Sequence, residues 1–112
     1  MFIDIVSFPI YNLSMNFGIL KEPIDFDWDE YNQTKIRLKH GLTTEEVEQT
    51  FFNYSVVKLD LAHSVSEQRY QMLGMSNEDR ILFIAFTVRG SKIRVISARS
   101  ADKKERQIYE EA

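Results

Sequence analysis

The spacing of apolar residues changes near Asn53, and this change constrains the fold more than any other feature of the sequence. Before it, Val47 and Phe51 keep the spacing of about 3.6 residues that buries one face of a helix. After it, the spacing falls to about two residues, and residues 56–61 and 69–75 are predicted to be strands. This order, with helices first and strands afterwards, predicts an α+β domain in which the helices pack on one sheet.

A long apolar run and a turn complete the predicted sheet. Residues 81–88 are almost continuously apolar, which is typical of a central strand. Residues 89–92, Arg-Gly-Ser-Lys, predict a tight hairpin, from which 93–98 return as a fourth antiparallel strand. Ser100 is expected to cap a final helix that carries Asp102 in its first turn.

Helix start signals occur twice before the sheet. Asp27 is predicted to cap the first helix, with Glu30 completing a capping box, and Gly41 is predicted to end that helix. Thr43 and Glu46 repeat the capping box at the start of a second helix. The predicted order is therefore two N-terminal helices, a four-stranded antiparallel sheet and a C-terminal helix.

The first 20 residues are rich in apolar side chains but do not fit a targeting segment. Lys21 is the first basic residue, so the positive start of a signal peptide is missing, and Asp4 interrupts the apolar run that a membrane span needs. We divide the 112 residues into an N-terminal extension, 1–24, and one domain, 25–112. The extension is either an extra strand or an artefact of the start site, with translation beginning at Met15, and the sequence favours neither.

The scarcity of cysteine and histidine excludes several kinds of site. The sequence contains no cysteine and two histidines. Disulfides, thiolate zinc sites and cysteine nucleophiles are therefore excluded, and a histidine-rich metal site is not expected. No glycine-rich phosphate loop, paired-carboxylate signature or metal-ligand spacing is present. We predict no metal or cofactor, no membrane partner, and a location in the cytoplasm, whose reducing conditions suit a chain without cysteine.

The positive charge of the sequence is concentrated in its last third. Although the net charge of the protein is −3, residues 80–106 contain eight basic and two acidic residues, a net charge of +6. The basic residues are Arg80, Arg89, Lys92, Arg94, Arg99, Lys103, Lys104 and Arg106. Such a concentration on a predicted sheet and helix is typical of a phosphate-binding surface. The alternative is that these are ordinary solvated charges.

A series of short motifs runs from residue 26 to residue 109. They are Phe26-Asp27-Trp28-Asp29, Lys39-His40-Gly41, Glu45-Glu46, Phe51-Phe52-Asn53, His63-Ser64, residues 67–70, 81–87 and 89–99, and Glu105-Arg106 with Tyr109. Together and in this order, they make the sequence resemble the BrnT family of bacterial toxins over about residues 25–111. The family commonly has asparagine where this chain has Ile36, and a basic residue where it has Asn32.

The resemblance implies a RelE-like fold and an RNA-cleaving toxin that arrests growth. It also implies a type II toxin–antitoxin system, in which a small BrnA-like ribbon-helix-helix antitoxin neutralises the toxin and binds DNA. RNA is then the expected substrate, and this chain is expected to meet DNA only indirectly, through the antitoxin. The alternative is a catalytically degenerate toxin-like module that only binds an antitoxin or nucleic acid. A DNA-binding regulator is less well supported, because no helix-turn-helix recognition helix carries the charge.

Cleavage of RNA without a metal requires proton transfer and neutralisation of the charge on phosphate. His40 is predicted to exchange protons, since histidine titrates near neutral pH; its alternative role is to cap the first helix. Lys39 is either a phosphate clamp or a surface lysine. Arg94 and Arg99 are predicted to hold the scissile phosphate, because a guanidinium matches two phosphate oxygens. Strand alternation places these arginines on opposite faces unless the strand bulges near Ser97.

Two further residues, Arg69 and Tyr109, each have two interpretations. Arg69 is a third candidate for the catalytic site, or half of a cross-strand ion pair. Tyr109 is predicted either to stack on an RNA base in the catalytic site or to dock the final helix. His63 is interpreted as a polar loop residue. The remaining candidates for RNA binding are Arg89, Lys92, Lys103 and Arg106.

Overall fold

The computed structural model describes residues 25–112, which form one sheet with helices on both faces. In chain order the helices and strands are β1 (Asp25–Phe26), α1 (Glu30–His40), α2 (Thr44–Gln49), β2 (Ser55–Leu59), β3 (Arg69–Met75), β4 (Ile81–Arg89), β5 (Lys92–Ser100) and α3 (Lys103–Glu111). Short 3-10 turns follow α2 at Thr50–Phe52 and β2 at Leu61–His63. The two alternatives for residues 1–24, an extra strand or a start at Met15, lie outside the described residues.

The sheet has five strands rather than the four that the sequence predicts. Its order is β1-β5-β4-β3-β2, and β2 to β5 are antiparallel neighbours as predicted. The fifth strand, β1, lies parallel to β5, with Asp25 opposite Lys92 and Phe26 opposite Ile93. The prediction of a purely antiparallel sheet is therefore wrong at this edge. Two residues are too few to produce a detectable alternation of apolar and polar side chains.

Two of the predicted helix caps are wrong. Asp29 rather than Asp27 caps α1, because its carboxylate accepts a 2.7 Å hydrogen bond from the backbone N–H of Asn32. The backbone N–H of Asp27 instead donates to β5 over 2.8 Å. Asp102 rather than Ser100 caps α3, because β5 continues through Ser100. In both cases backbone contact with the sheet continues to the residue that the sequence predicts as the helix cap.

The other turns are as predicted, except that Glu46 does not complete the capping box with Thr43, because its carboxylate binds Arg80. α1 ends at Gly41, whose φ of +66° is a left-handed conformation that glycine adopts without steric cost. Thr43 caps α2 by accepting a 3.1 Å hydrogen bond from the backbone N–H of Glu46. The predicted hairpin joins β4 to β5, and Gly90 has a φ of +63° there. These turns fix where α1 ends, where α2 begins and where β5 returns beside β4.

Each face of the sheet packs against different helices. One face packs against α1 and α2 and forms the larger apolar cluster, which includes Ile36, Phe51 and Phe86. The opposite face packs against α3 through a smaller cluster, which includes Leu73 and Ile108. The two faces therefore differ in how much of their area a helix covers.

The helix α3 covers only part of its face. It packs along one row of cross-strand partners, Val56, Leu73, Phe83 and Arg99. No described helix covers the next rows, which lie towards the β4–β5 hairpin and are mostly half-exposed. We call these rows the open half of the sheet; they comprise Arg69, Gln71, Ala85, Thr87, Arg94 and Ser97.

A β-bulge in β5 brings Arg94 and Arg99 onto the same face. Val95 and Ser97 pair with consecutive residues of β4, so Ile96 is the extra residue. The extra residue reverses the alternation of side chains between the two arginines, and both lie on the face that carries α3. The bulge near Ser97, which is needed to place both arginines on one face, is therefore present.

The two positions that depart from the family pattern contribute to packing. Ile36 is 1% exposed and lies in the larger apolar cluster beneath α1. The side-chain amide of Asn32 donates a 3.1 Å hydrogen bond to the carbonyl oxygen of Val95. These two residues fasten α1 to the sheet.

Candidate functional site

Most of the positive charge of residues 80–106 is neutralised within the fold. Five of the eight basic residues in this segment form ion pairs with carboxylates of residues 25–112, at N–O distances of 2.5 to 3.9 Å. The pairs are Arg80 with Glu46, Arg89 with Glu67, Lys92 with Asp25, Arg94 with Asp27 and Asp29, and Arg99 with Glu105. The +6 counted along the sequence is therefore not the charge of any one surface.

Arg80 holds two parts of the fold together. Its Nε and Nη2 donate to the two carboxylate oxygens of Glu46 at 2.8 and 2.7 Å, and the Ser76 hydroxyl donates to Glu46 at 3.0 Å. These hydrogen bonds, that of Arg80 above all, hold the pKa of the Glu46 carboxyl below its usual range although the side chain is buried. The pair ties α2 to the turn between β3 and β4, away from the open half.

Arg99 fastens α3 to the sheet. Its two terminal nitrogens donate to the Glu105 carboxylate at 2.8 and 2.9 Å, and its guanidinium lies 4.3 Å from the centre of the Phe83 ring. Glu105 is 6% exposed and also accepts a 3.0 Å hydrogen bond from the backbone N–H of Asp102. These contacts fit a structural role for Arg99, as the support of Glu105, better than the predicted contact with phosphate.

Arg94 lies at the edge of the open half and is oriented by two carboxylates. Its Nη2 donates to Asp29 at 2.5 Å, and its Nη1 lies 3.5 Å from Asp27. The backbone N–H of Asn32, together with Arg94, holds the pKa of the Asp29 carboxyl below its usual range. The Nε–H of Arg94 forms no hydrogen bond with another residue of the described part, so this donor is available to a ligand.

Arg69 faces Arg94 across a central strand. Arg69 pairs with Thr87, and Thr87 pairs with Arg94, so two strand spacings separate the Cα atoms of the two arginines by about 10 Å. Within residues 25–112, the Arg69 guanidinium forms no hydrogen bond or ion pair, so the cross-strand pair considered above is not formed. Two arginine side chains are long enough to reach one phosphate across this separation.

The floor between the two arginines consists of small side chains. Thr87 lies directly between them, and Ala85 and Ser97 form part of the next row. The Thr87 hydroxyl is buried and donates a 2.7 Å hydrogen bond to the carbonyl oxygen of Gln68. A ligand can therefore approach the sheet closely between the two arginine positions.

Glu67 partly balances the charge of this site. Arg89 donates to its carboxylate from Nε and Nη2 at 3.2 and 3.1 Å. The hydrogen bonds from Arg89, followed by the charges of Arg69 and Arg94, hold the pKa of the Glu67 carboxyl below its usual range. Three arginines thus surround one carboxylate, and an anion that binds between Arg69 and Arg94 would join a network that is already ordered.

A histidine and an aspartate lie at the end of β2, beside Arg69. Nδ1 of His63 is 2.9 Å from Oδ2 of Asp60, and the side-chain amide of Gln71 donates to the same oxygen at 3.1 Å. Burial raises the pKa of the Asp60 carboxyl, but the hydrogen bonds from His63 and Gln71 outweigh burial and the net shift is downward. Asp60 is therefore an ionised acceptor for the His63 ring.

Backbone contacts fix this pair against the open half. The Ser64 hydroxyl donates to the carbonyl oxygen of Asp60 at 2.6 Å and accepts from the backbone N–H of Arg69 at 2.9 Å. The backbone N–H of Asp60 donates to the carbonyl oxygen of Arg69 at 2.7 Å. The side chain of Asp60 is 13% exposed, whereas that of His63 is 65% exposed. The carboxylate is anchored and the imidazole is presented to solvent.

Lys39 and His40 lie at the other end of the fold. They form the last turn of α1, and the following residue, Gly41, accepts a 3.5 Å hydrogen bond from Arg80 at the start of β4. The N-terminal end of α1, which contacts Arg94, is about 16 Å away along the helix axis. The structure therefore does not bring Lys39 and His40 together with the arginines of the open half.

The candidates on α3 also lie outside the open half. The Tyr109 hydroxyl donates a 2.9 Å hydrogen bond to the carbonyl oxygen of Tyr54, the two rings meet edge to face at 5.8 Å, and burial raises the pKa of Tyr109. This geometry fits the docking role of Tyr109. Arg106 donates to the carbonyl oxygen of Ala101 at 2.9 Å, and Lys103 is exposed.

The described residues contain neither a candidate metal cluster nor a membrane-spanning helix. Within residues 25–112, no three histidine, aspartate or glutamate side chains group in a way that could hold a metal ion. The helices of the same region are too short or too polar to cross a membrane.

This α+β fold has an open, arginine-lined half of its sheet, and a surface of this kind can hold a polyanion. The fold and the surface define a class of polyanion-binding proteins, and comparison with known proteins identifies the family within it. Residues 28–105 match the family described as the ribonuclease toxin, BrnT, of type II toxin–antitoxin systems. The chain therefore belongs to the BrnT family, as its motifs suggested, and it is a ribonuclease toxin that has an antitoxin partner.

A solved structure supports the same assignment. The crystal structure of the Brucella abortus ribonuclease toxin, BrnT, superposes with a TM-score of 0.52 and 26% sequence identity. The match covers 71% of this chain and 99% of the Brucella chain. No curated protein matches the sequence significantly.

The contact between Asp60 and His63 was not predicted from the sequence. The two residues are three positions apart, and the 3-10 turn between β2 and β3 folds the histidine back onto the carboxylate. An aspartate followed three residues later by a histidine, directly after a strand, is the signal that could have indicated this contact. The signal is weak, because the same spacing occurs in many polar loops.

Proposed function

We propose that this toxin cleaves RNA on the open half of its sheet, with the scissile phosphate between Arg69 and Arg94. The observation that carries the proposal is the strand register, which places Arg69 and Arg94 on one face, at positions on either side of Thr87. Charge gathers on the phosphate oxygens during cleavage, and preorganised cationic donors stabilise it more than mobile water does. Arg94 is held in place by Asp29, which makes it a preorganised donor.

The other cationic candidates have supporting parts in this proposal. Arg89 and Lys92 lie at the hairpin next to the phosphate site and can contact the RNA backbone, as can Lys103 and Arg106 on α3. Arg99 positions α3, and Tyr109 docks it. Lys39 and His40 are left out because they lie at the opposite end of α1.

No metal ion takes part in the proposed reaction. Arg69 and Arg94 supply the positive charge that a metal would otherwise provide at the phosphate. We infer that the fold is of the RelE type and that the toxin acts in the cytoplasm, where its RNA substrate is found.

The activity can be tested with purified protein and an RNA oligonucleotide. We expect cleavage to continue in EDTA, and the products to end in a 2′,3′-cyclic or 3′-phosphate, which gel electrophoresis and mass spectrometry distinguish. Lys104→Ala removes an exposed positive charge on α3, so its cleavage rate shows how far the loss of a charge alone changes activity. RNA that binds but is not cleaved would favour the alternative, a degenerate module that only binds. Cleavage that EDTA abolishes would contradict the metal-free mechanism.

We propose that the partner is a BrnA-like ribbon-helix-helix protein with an acidic or strand-forming segment that covers the open half. An interface of the usual specific size, about 1,200–2,000 Å², would cover this area. Because encounter depends on charge complementarity, association should slow as the salt concentration rises above the physiological range, which stopped-flow fluorescence measures. Unchanged hydrogen exchange in β3 and β4 of the complex would contradict this mode of inhibition.

A further inference from the structure

We propose that His63, held by Asp60, is the group that takes the proton from the 2′-hydroxyl in RNA cleavage. This inference rests on the proposed function of the open half as the RNA site. It assigns the proton transfer to a histidine different from His40, which the sequence favoured. It also gives a role to a residue that the sequence placed in a polar loop.

The pair of Asp60 and His63 has the geometry of an oriented general base. The carboxylate accepts the hydrogen bond from Nδ1 at 2.9 Å, which leaves the lone pair on Nε2 in the neutral ring. Nε2 forms no hydrogen bond with a residue of the described region, and the ring is largely exposed. An aspartate that fixes the tautomer and orientation of a histidine is the arrangement that prepares the other ring nitrogen for proton transfer.

The position of the pair relative to the arginines favours a shared substrate. Asp60 continues β2 and bonds to the backbone of Arg69 on the neighbouring strand. Gln71, which holds the Asp60 carboxylate, is the next residue of β3 on the same face as Arg69. A phosphate bound by Arg69 therefore lies within a few strand spacings, about 5 Å each, of the His63 ring.

The charged surroundings of His63 come from three parts of the chain. Asp60 lies on its own turn, Lys58 lies two residues earlier on β2, and Arg69 and Glu67 lie on β3 and the loop before it. Of these groups, Asp60 contacts the ring directly. The carboxylate stabilises the imidazolium that forms when Nε2 accepts a proton, which favours the transfer.

The proposed step balances in atoms and charge. As the 2′-oxygen forms a bond to phosphorus, its proton passes to Nε2 of His63. The bond between phosphorus and the 5′-oxygen breaks, and the leaving oxygen takes a proton from water. The imidazolium then returns its proton to solvent. The products are a 2′,3′-cyclic phosphate and a free 5′-hydroxyl.

The test compares His63→Gln with Asp60→Asn, His40→Gln and Ser66→Ala in the purified toxin. The glutamine at position 63 cannot titrate, so kcat for RNA cleavage should fall about 10²-fold or more, with little change in KM. The acidic limb of the pH–rate profile should also disappear. Asp60→Asn should lower kcat as well, since an amide no longer enforces the tautomer of the ring. Ser66→Ala, an exposed change in the same loop, should retain the wild-type rate.

Three outcomes would contradict the proposal, and each contradicts a different part of it. Full cleavage by His63→Gln, with Arg69→Ala inactive, would overturn the role of His63 while leaving the RNA site intact. A loss of kcat in His40→Gln but not in His63→Gln would return the proton transfer to His40. If Arg69→Ala and His63→Gln both cleave RNA at the wild-type rate, the proposed RNA site is wrong and the inference fails with it. Circular dichroism of each variant ensures that the comparison is made on folded protein.

Discussion

Replacing Arg69 with alanine is expected to lower the rate of RNA cleavage by about 10²- to 10³-fold, the usual effect of removing one donor to a developing anion. Within residues 25–112, the Arg69 guanidinium has no hydrogen bond or ion pair whose loss would weaken the fold. The melting temperature should therefore stay close to that of the wild type. Kinetics with an RNA oligonucleotide and a thermal melt measure the two effects separately.

Arg37→Ala is the matched control for this experiment. Arg37 is an exposed arginine on α1, on the side of the sheet opposite the open half, and its removal changes the net charge by the same amount. The Arg37 variant should cleave RNA at the wild-type rate. Equal loss of activity in both variants would mean that overall charge, rather than the position of Arg69, governs RNA binding. Full activity in Arg69→Ala would contradict the proposed site.

Much of the fold could be predicted from the sequence because its signals are local. The change of period near Asn53, the apolar run that becomes β4 and the turns at Gly41 and Gly90 depend on neighbouring residues only. The short strand β1 could not be predicted in the same way. Its two residues form a strand because β5 lies beside them, and this contact joins residues far apart in the chain.

The distribution of charge on the surface also depends on contacts between residues far apart in the chain. The count of +6 in residues 80–106 is correct along the chain, but folding places carboxylates of residues 25–29 beside Lys92 and Arg94 of β5. Net charge along a sequence therefore did not predict net charge on a surface. The bulge at Ile96 is a second example, since it decides which face Arg99 occupies and no local signal marks it.

For the proposed phosphate site, the sequence indicated the residue type but not the positions. Arginine is the residue type that the proposal uses, and Arg69 and Arg94 share the open half. Arg99 has the same chemistry, but Glu105 engages both of its terminal nitrogens. The choice between His40 and His63 depends on which helix or turn reaches the open half, and only the folded chain determines that.

Replacing Arg99 with alanine should affect stability more than catalysis. The change leaves the buried Glu105 carboxylate without its main partner, and hydrogen bonds to charged groups contribute about 1.5–3 kcal/mol. Arg99 is 38% exposed, so solvent screening places the loss of unfolding free energy nearer the lower end of that range, at about 2 kcal/mol. For a domain of this size, the melting temperature should fall by about 8 °C or more.

Lys104→Ala and a low-temperature assay separate the structural role of Arg99 from a catalytic one. Lys104 is an exposed cation on the same helix, and its removal should change the unfolding free energy by less than about 0.5 kcal/mol. Well below its melting temperature, the Arg99→Ala variant should cleave RNA at nearly the wild-type rate, because the open half keeps Arg69 and Arg94. A variant with an unchanged melting temperature and lost cleavage would instead place Arg99 at the phosphate. The melting temperature and the cleavage rate therefore discriminate between the two roles in a single variant.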